Sequence, residues 1–212
     1  MSPNTSDPVH SLLAQLHHQP LLVVLRAAEP IQHRERLQQL RERGIRHVEL
    51  AWTGHPNWVP QVRELRSCFP ELALGAASVC DAAGVQAALA AGLTYAVSPI
   101  LHAPLLRLAA QQHLALVPGV MSPTEVHQAS LLGCPLVKLF PASSLGKAYW
   151  NRLRSPLGKL PACIAAGGLT VADVEPWLEG GVDAVALGGS LESAESWDAL
   201  SKLRLRLSCR RS

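Results

Sequence analysis

The chain has 212 residues, 48% of them hydrophobic and 4% aromatic, with a formal net charge of +3. That length suits one domain, residues 1–212, with a full core burying roughly 70% of the unfolded surface. No apolar run approaches the roughly 18 residues of a membrane span, and the surplus charge, gathered in Arg204, Arg206, Arg210 and Arg211 with so few aromatics beside it, is too little for a nucleic-acid partner.

Residues 8–18 read as a short amphipathic helix with Leu12, Leu13 and Leu16 on one face and His17-His18 at its end. Leu21–Ala27 is an apolar strand running into Arg26. After Pro30 comes a charged helical pattern carrying Leu37 and Leu40 and stopping at Gly44. His47–Trp52 is the second strand, with a helix over 57–68. Leu72–Ser78 is the third, with an alanine-rich helix over 81–91, and Tyr95–Pro99 the fourth, with a helix from Pro104 to His113. Leu114–Val120 is the fifth, followed by a helix from Pro123 to Leu132, where Pro123 suits a first-turn position. Leu136–Pro141 is the sixth strand. Ala162–Gly168 is the seventh, with a helix over 171–179, and Ala184–Ser190 the eighth, with a last helix from Glu195 to Leu207.

Short apolar strands alternating with helical segments imply a parallel sheet covered on both faces. Eight of them favour a closed (β/α)8 barrel of the TIM type. The open doubly wound alternative would normally show a G-x-G-x-x-G turn after its first strand, which is missing here. In a barrel, chemistry collects at the C-terminal strand ends. These carry Arg26, Glu49, Ser78, Pro99, Pro118-Gly119, Lys138, Gly167-Gly168 and Gly188-Gly189-Ser190.

Lys138 sits inside the run Leu136–Pro141, where an unpaired ammonium would cost several kcal/mol. One reading is a paired or snorkelling structural lysine. The other is an amine whose pKa is lowered by desolvation, making part of it nucleophilic toward a ketone near neutral pH. Glu49 is the second ionisable residue in an otherwise apolar strand, and barrel closure would bring the two together as a buried ion pair or a catalytic pair. Arg26 suits bidentate contact with a substrate carboxylate, or anchoring of a loop. Ser78 fits a turn or cap as well as a site. The glycine pairs after strands seven and eight, with the Ser190 hydroxyl, fit backbone amides approaching a phosphate, although strand-to-helix turns use glycine too.

The five cysteines are widely spaced, odd in number and free of C-x-x-C pairing, which argues against a disulfide framework and for a reducing, cytoplasmic compartment. The Met1–Pro8 stretch lacks the pattern of a secretory signal. The nine histidines show no H-x-H or H-E-x-x-H grouping, so no metal is expected, and no cofactor.

From residue 20 to 207 the chain resembles the class I 2-keto-3-deoxy-6-phosphogluconate (KDPG) aldolases, also described as 4-hydroxy-2-oxoglutarate aldolases. The resemblance is carried by Val24-Leu25-Arg26-Ala27, Val48-Glu49-Leu50, Gly75-Ala76-Ala77-Ser78-Val79, Val97-Ser98-Pro99, Val117–Glu125, Val137–Ala142, Gly167-Gly168 and Gly188-Gly189-Ser190. The K-L-F-P-A and P-G-V-M-S-P-T-E stretches are highly specific in combination. The resemblance implies that Lys138 forms a Schiff base with a 2-keto-4-hydroxy acid, that Glu49 moves protons, and that Pro99 and Phe140 line the substrate pocket. It also implies a homotrimer.

Three positions depart from the family pattern. The G-A-G-T segment, whose threonine contacts the pyruvyl carboxylate, is Gly75-Ala76-Ala77-Ser78, which keeps the hydroxyl and adds a methyl. Some members carry arginine four residues after the glutamate; Thr53 stands there, leaving Arg26 as the carboxylate partner. T-G-G after strand seven is Ala166-Gly167-Gly168, one hydroxyl fewer near the phosphate. Two rival classes stay open: a phosphate-binding barrel isomerase or epimerase, and a non-catalytic sugar-phosphate binder.

Overall fold

The structure, a computed structural model, describes residues 8–191 and 193–209. The strands are β1 (Leu21–Leu25), β2 (His47–Ala51), β3 (Ala73–Ala77), β4 (Tyr95–Val97), β5 (Ala115–Val117), β6 (Gly119–Val120), β7 (Leu136–Leu139), β8 (Ala162–Ala166) and β9 (Ala184–Leu187). All pair in parallel in the order β5-β4-β3-β2-β1-β9-β8-β7-β6.

β5 and β6 are one strand broken at Pro118, so the two ends of that order are joined through a single residue. Ser98 N donates to Val117 O at 2.9 Å on one side, and Lys138 N donates to Pro118 O at 2.8 Å on the other. The ring closes as an eight-position (β/α)8 barrel. Pro118 has no N–H for the ladder. Gly119 beside it is required by close packing, because a Cβ there would lie 2.2 Å from the Pro99 carbonyl carbon.

The helices are α1 (Pro8–His18), α2 (Arg34–Glu42), α3 (Trp58–Cys68), α4 (Ala82–Ala90), α5 (Ala103–Gln111), α6 (Pro123–Leu131), α7 (Tyr149–Arg152), α8 (Arg154–Leu157), α9 (Val174–Glu179) and α10 (Ala194–Cys209). α6 starts at a capping box in which Ser122 Oγ accepts from Glu125 N and Glu125 accepts from Ser122 N. No helix among the described residues is long and apolar enough to cross a membrane.

Strand side chains alternate between two packed regions. Val23, Leu25, Val48, Leu50, Val137, Leu139, Val185 and Leu187 pack outward among the helices. Leu22, Val24, Ala77, Tyr95, Leu136, Ile164, Ala166, Ala184 and Ala186 fill the barrel interior. Leu12 and Leu16 of α1 belong to the interior too, closing the end where the strands begin.

Candidate active site

The same alternation places the two ionisable strand residues. Val137 and Leu139 face the helices and Leu136 the interior, so Lys138 points inward; Val48 and Leu50 face outward, so Glu49 between them points inward too. Lys138 is 3% exposed and Glu49 1%.

Their environments pull them toward each other in proton affinity. Burial pushes Glu49 up to about 7, against the opposing pull of Lys138 and then Arg26. Burial lowers Lys138, with Glu49 acting the other way and Arg26 adding to the lowering. Near neutral pH the pair thus shares a carboxyl close to half-ionised and an amine easier to deprotonate than an ordinary lysine. Glu49 Oε2 is buried without a hydrogen-bond partner, leaving it available for a proton or a bridging hydroxyl.

Phe140 holds the amine from the side, its ring centroid 4.9 Å from Lys138 Nζ. Gly167 makes room for that ring: a Cβ there would meet the Phe140 ring at 2.9 Å. Gly168 has a related reason, since a Cβ would lie 2.3 Å from Ser143 Oγ. Gly167 and Gly168 therefore pack beneath the segment that follows Lys138, and both have φ above +70°, where side chains are strained. Gly188 and Gly189 differ. Nothing lies within 4 Å of a Cβ built on either, and the neighbouring Ser190 Oγ is buried with no partner. Of the two loops, this one has the more room around its backbone.

Arg26 lies one residue past β1 and is exposed; its Nη1 donates to Ser78 Oγ at 2.7 Å. Ser78 adopts φ +62°, an uncommon conformation for a residue other than glycine. Thr53 donates to Ala28 O at 3.5 Å, tying the loop after β2 to the loop after β1. Pro99, half-buried, presses on Gly119 in the neighbouring strand.

Tyr95 was not singled out from the sequence, because an aromatic in a strand reads as core. Its ring fills the interior over Gly75, where a Cβ would overlap it at 2.2 Å, and burial raises its hydroxyl well above the usual range, helped by the charge of Glu49. Cys80, exposed beyond β3, lies in electrostatic reach of Lys138. No group of three or more His, Cys, Asp or Glu among the described residues is placed to hold a metal ion.

Known proteins are similar to this chain in sequence and share its fold. The 2-dehydro-3-deoxy-6-phosphogalactonate aldolase of Escherichia coli (strain K12) is 27% identical over 176 residues, which is 82% of this chain and 85% of the relative. The KDPG aldolase of Legionella pneumophila, solved with pyruvate captured as a covalent carbinolamine intermediate, superposes with a TM-score of 0.76 at 23% identity, over 92% of this chain and 97% of that one. The 2-keto-3-deoxy-6-phosphogluconate aldolase of Zymomonas mobilis, solved with 3-phosphoglycerate, gives 0.75 at 23% identity, over 92% and 94%. The family described as "Aldolase: KDPG and KHG aldolase" matches residues 12–203, and the chain belongs to it.

Proposed function

We propose that the protein is a Schiff-base aldolase that cleaves 2-keto-3-deoxy-6-phosphogluconate to pyruvate and glyceraldehyde 3-phosphate, with 4-hydroxy-2-oxoglutarate, giving pyruvate and glyoxylate, as a second substrate. One observation carries the reading: an amine and a carboxyl, each almost fully buried in the barrel interior, are shifted in opposite directions by that burial. A structural ion pair would gain little from such burial.

In this mechanism neutral Lys138 attacks the C2 keto carbon, and the carbinolamine loses water to give an iminium. Glu49 shuttles the protons of that step and then takes the proton of the C4 hydroxyl. The C3–C4 bond breaks, its electron pair passing into the iminium to form an enamine while the aldehyde departs. Protonation at C3 and hydrolysis release pyruvate and the free amine. Arg26 and Ser78, hydrogen-bonded to each other, hold the carboxylate common to every substrate. Pro99 and Phe140 border the reacting carbons, and Gly188, Gly189 and Ser190, with Gly167 and Gly168 beside them, receive the phosphate. The reaction uses no metal, because the iminium supplies the electron sink. The covalent carbinolamine and the 3-phosphoglycerate of the two solved relatives support the amine and phosphate assignments in turn.

A second reading takes the C4 epimer, the galactonate compound, as substrate; the name of the relative that covers 82% of the chain favours it. Membership of the family also supports a homotrimer in a reducing cytoplasm. Pyruvate release from a panel of the two phosphorylated epimers and 4-hydroxy-2-oxoglutarate tests the function. Release from at least one is expected, and the preferred epimer names the substrate. No release from any, with proton exchange or simple binding instead, would favour the isomerase or the sugar-phosphate binder.

A further inference from the structure

The end of the barrel opposite the mouth carries a second polar cleft. It has a volume of about 560 Å³ and lies beside α1, with His18, Arg46, His47, Glu71, Leu72 and Arg204 on its walls. Its charge is lopsided. Glu71 is held by Arg41 at 3.3 Å, while among the described residues no carboxylate pairs with Arg46 or Arg204. Arg204 Nε is buried and has no hydrogen-bond partner. Its guanidinium lies over Gly44, where an added Cβ would meet Nε at 3.1 Å, so the glycine lets the cation lie flat at that edge.

His47 supplies the inner wall. It is 3% exposed, and burial pushes it down to about 4, so the ring is neutral near pH 7. Nδ1 of the ring is buried without a hydrogen-bond partner among the described residues. A neutral imidazole has one N–H and one lone pair, so the ring can both donate and accept. The cleft therefore offers two guanidiniums with no carboxylate partner among the described residues, the neutral ring of His47 on its lining, and an apolar wall at Leu72.

We propose that this cleft is a second ligand site, for a hydroxylated organic anion whose carboxylate or phosphate is held by Arg46 and Arg204 and whose body lies against the His18 and His47 rings that line the cleft. The proposal stands independently of the aldolase reading. The site also shares a strand with the barrel mouth: His47 and Glu49 are two residues apart on one face of β2, about 7 Å along it.

The test is a titration of the full chain with gluconate and with 6-phosphogluconate, read by the ring signals of His18 and His47 in NMR. Both rings should shift saturably with at least one anion. Arg46→Gln, an exposed change, should weaken that binding about tenfold, and Arg204→Gln similarly; Arg26→Met, at the other end of the barrel, should leave it unchanged. An affinity limited to 6-phosphogluconate would identify phosphate as the recognised group, and equal affinity the carboxylate. Absence of a saturable shift with either anion, shifts that survive both Arg46→Gln and Arg204→Gln, or shifts lost in Arg26→Met would overturn the proposal.

Discussion

Arg26 reaches across the barrel mouth to donate to the Ser78 hydroxyl at 2.7 Å, from the end of β1 to the end of β3, passing over the strand that carries Glu49. The pair is exposed, so the bond itself contributes little to stability. In the proposed mechanism it holds together the two groups that would bind the substrate carboxylate. Arg26→Met is expected to weaken pyruvate and intact substrates alike by about 1.5 to 3 kcal/mol, as for a charge-assisted contact. Ser78→Gly removes the hydroxyl while suiting the φ of +62°, so it should weaken the same ligands by a smaller factor without loss of stability. Steady-state kinetics with phosphorylated and unphosphorylated substrates checks this; a loss confined to the phosphorylated ones would move Arg26 to the phosphate site.

Glu49 gives the fold a pH dependence of definite sign. Its folded pKa of about 7 lies above its ordinary value of 4.5, so the neutral acid favours folding below about 4.5, and that contribution is lost as pH rises through 7. Glu49→Gln should therefore gain stability relative to the parent across this window, by on the order of 3 kcal/mol in full. Turnover should fall sharply in the same variant. Urea denaturation at pH 4.5 and pH 8 measures the difference. His47, pushed down to about 4, acts oppositely: its contribution is present above 6.5 and is lost as pH falls through 4. The parent curve sums both effects, so the single variant is the informative measurement.

The two glycine loops should separate by assay. Gly168→Ala places a methyl against Ser143 Oγ at a φ of +73° and is expected to cost about 1 to 3 kcal/mol of stability. Gly189→Ala meets nothing within 4 Å, so stability should stay within about 0.5 kcal/mol of the parent while the Michaelis constant for the phosphorylated substrate rises. Thermal melts and kinetics on the same two preparations decide the matter. Equal kinetics for Gly189→Ala and the parent would take the phosphate away from that loop.

Ala166 tests the phosphate preference from the other side. It ends β8 facing the interior, 3% exposed, where the family pattern carries a threonine. A missing donor weakens binding by about 1 kcal/mol, roughly fivefold. Ala166→Thr should lower the Michaelis constant for the phosphorylated substrate and leave 4-hydroxy-2-oxoglutarate unaffected; an equal change for both would mean that the hydroxyl does not meet phosphate.

Much of this was legible in the sequence, for physical reasons that also mark where legibility stops. Strands buried on both faces are continuous apolar runs, so the strand positions were readable. Their ends were overrun by one to three residues, as at Leu25, Val97 and Leu139, because apolar character outlasts ladder pairing there. The Pro118 break reads as uninterrupted in V-P-G-V, yet proline cannot donate and the Pro99 carbonyl crowds Gly119. α7 and α8 are single turns set among Gly146, Pro156 and Gly158; what stabilises them is tertiary, with Trp150 fully buried. Lys138 and Glu49 stood out as charges in apolar strands. Tyr95 and His47 did not, since only the closed barrel shows them facing inward. The differing reasons for the two glycine pairs were likewise invisible before their neighbours were placed.

The central claim is a covalent bond to Lys138, and borohydride reduction in the presence of pyruvate tests it most directly. One stable adduct per chain is predicted, mapping to the peptide that contains Lys138. It should be absent from a folded Lys138→Ala variant, and Glu49→Gln should still be trapped in part, because pyruvate can reach the amine without the carboxyl. Labelling of Lys147 or Lys159 instead, or no labelling at all, would contradict the account.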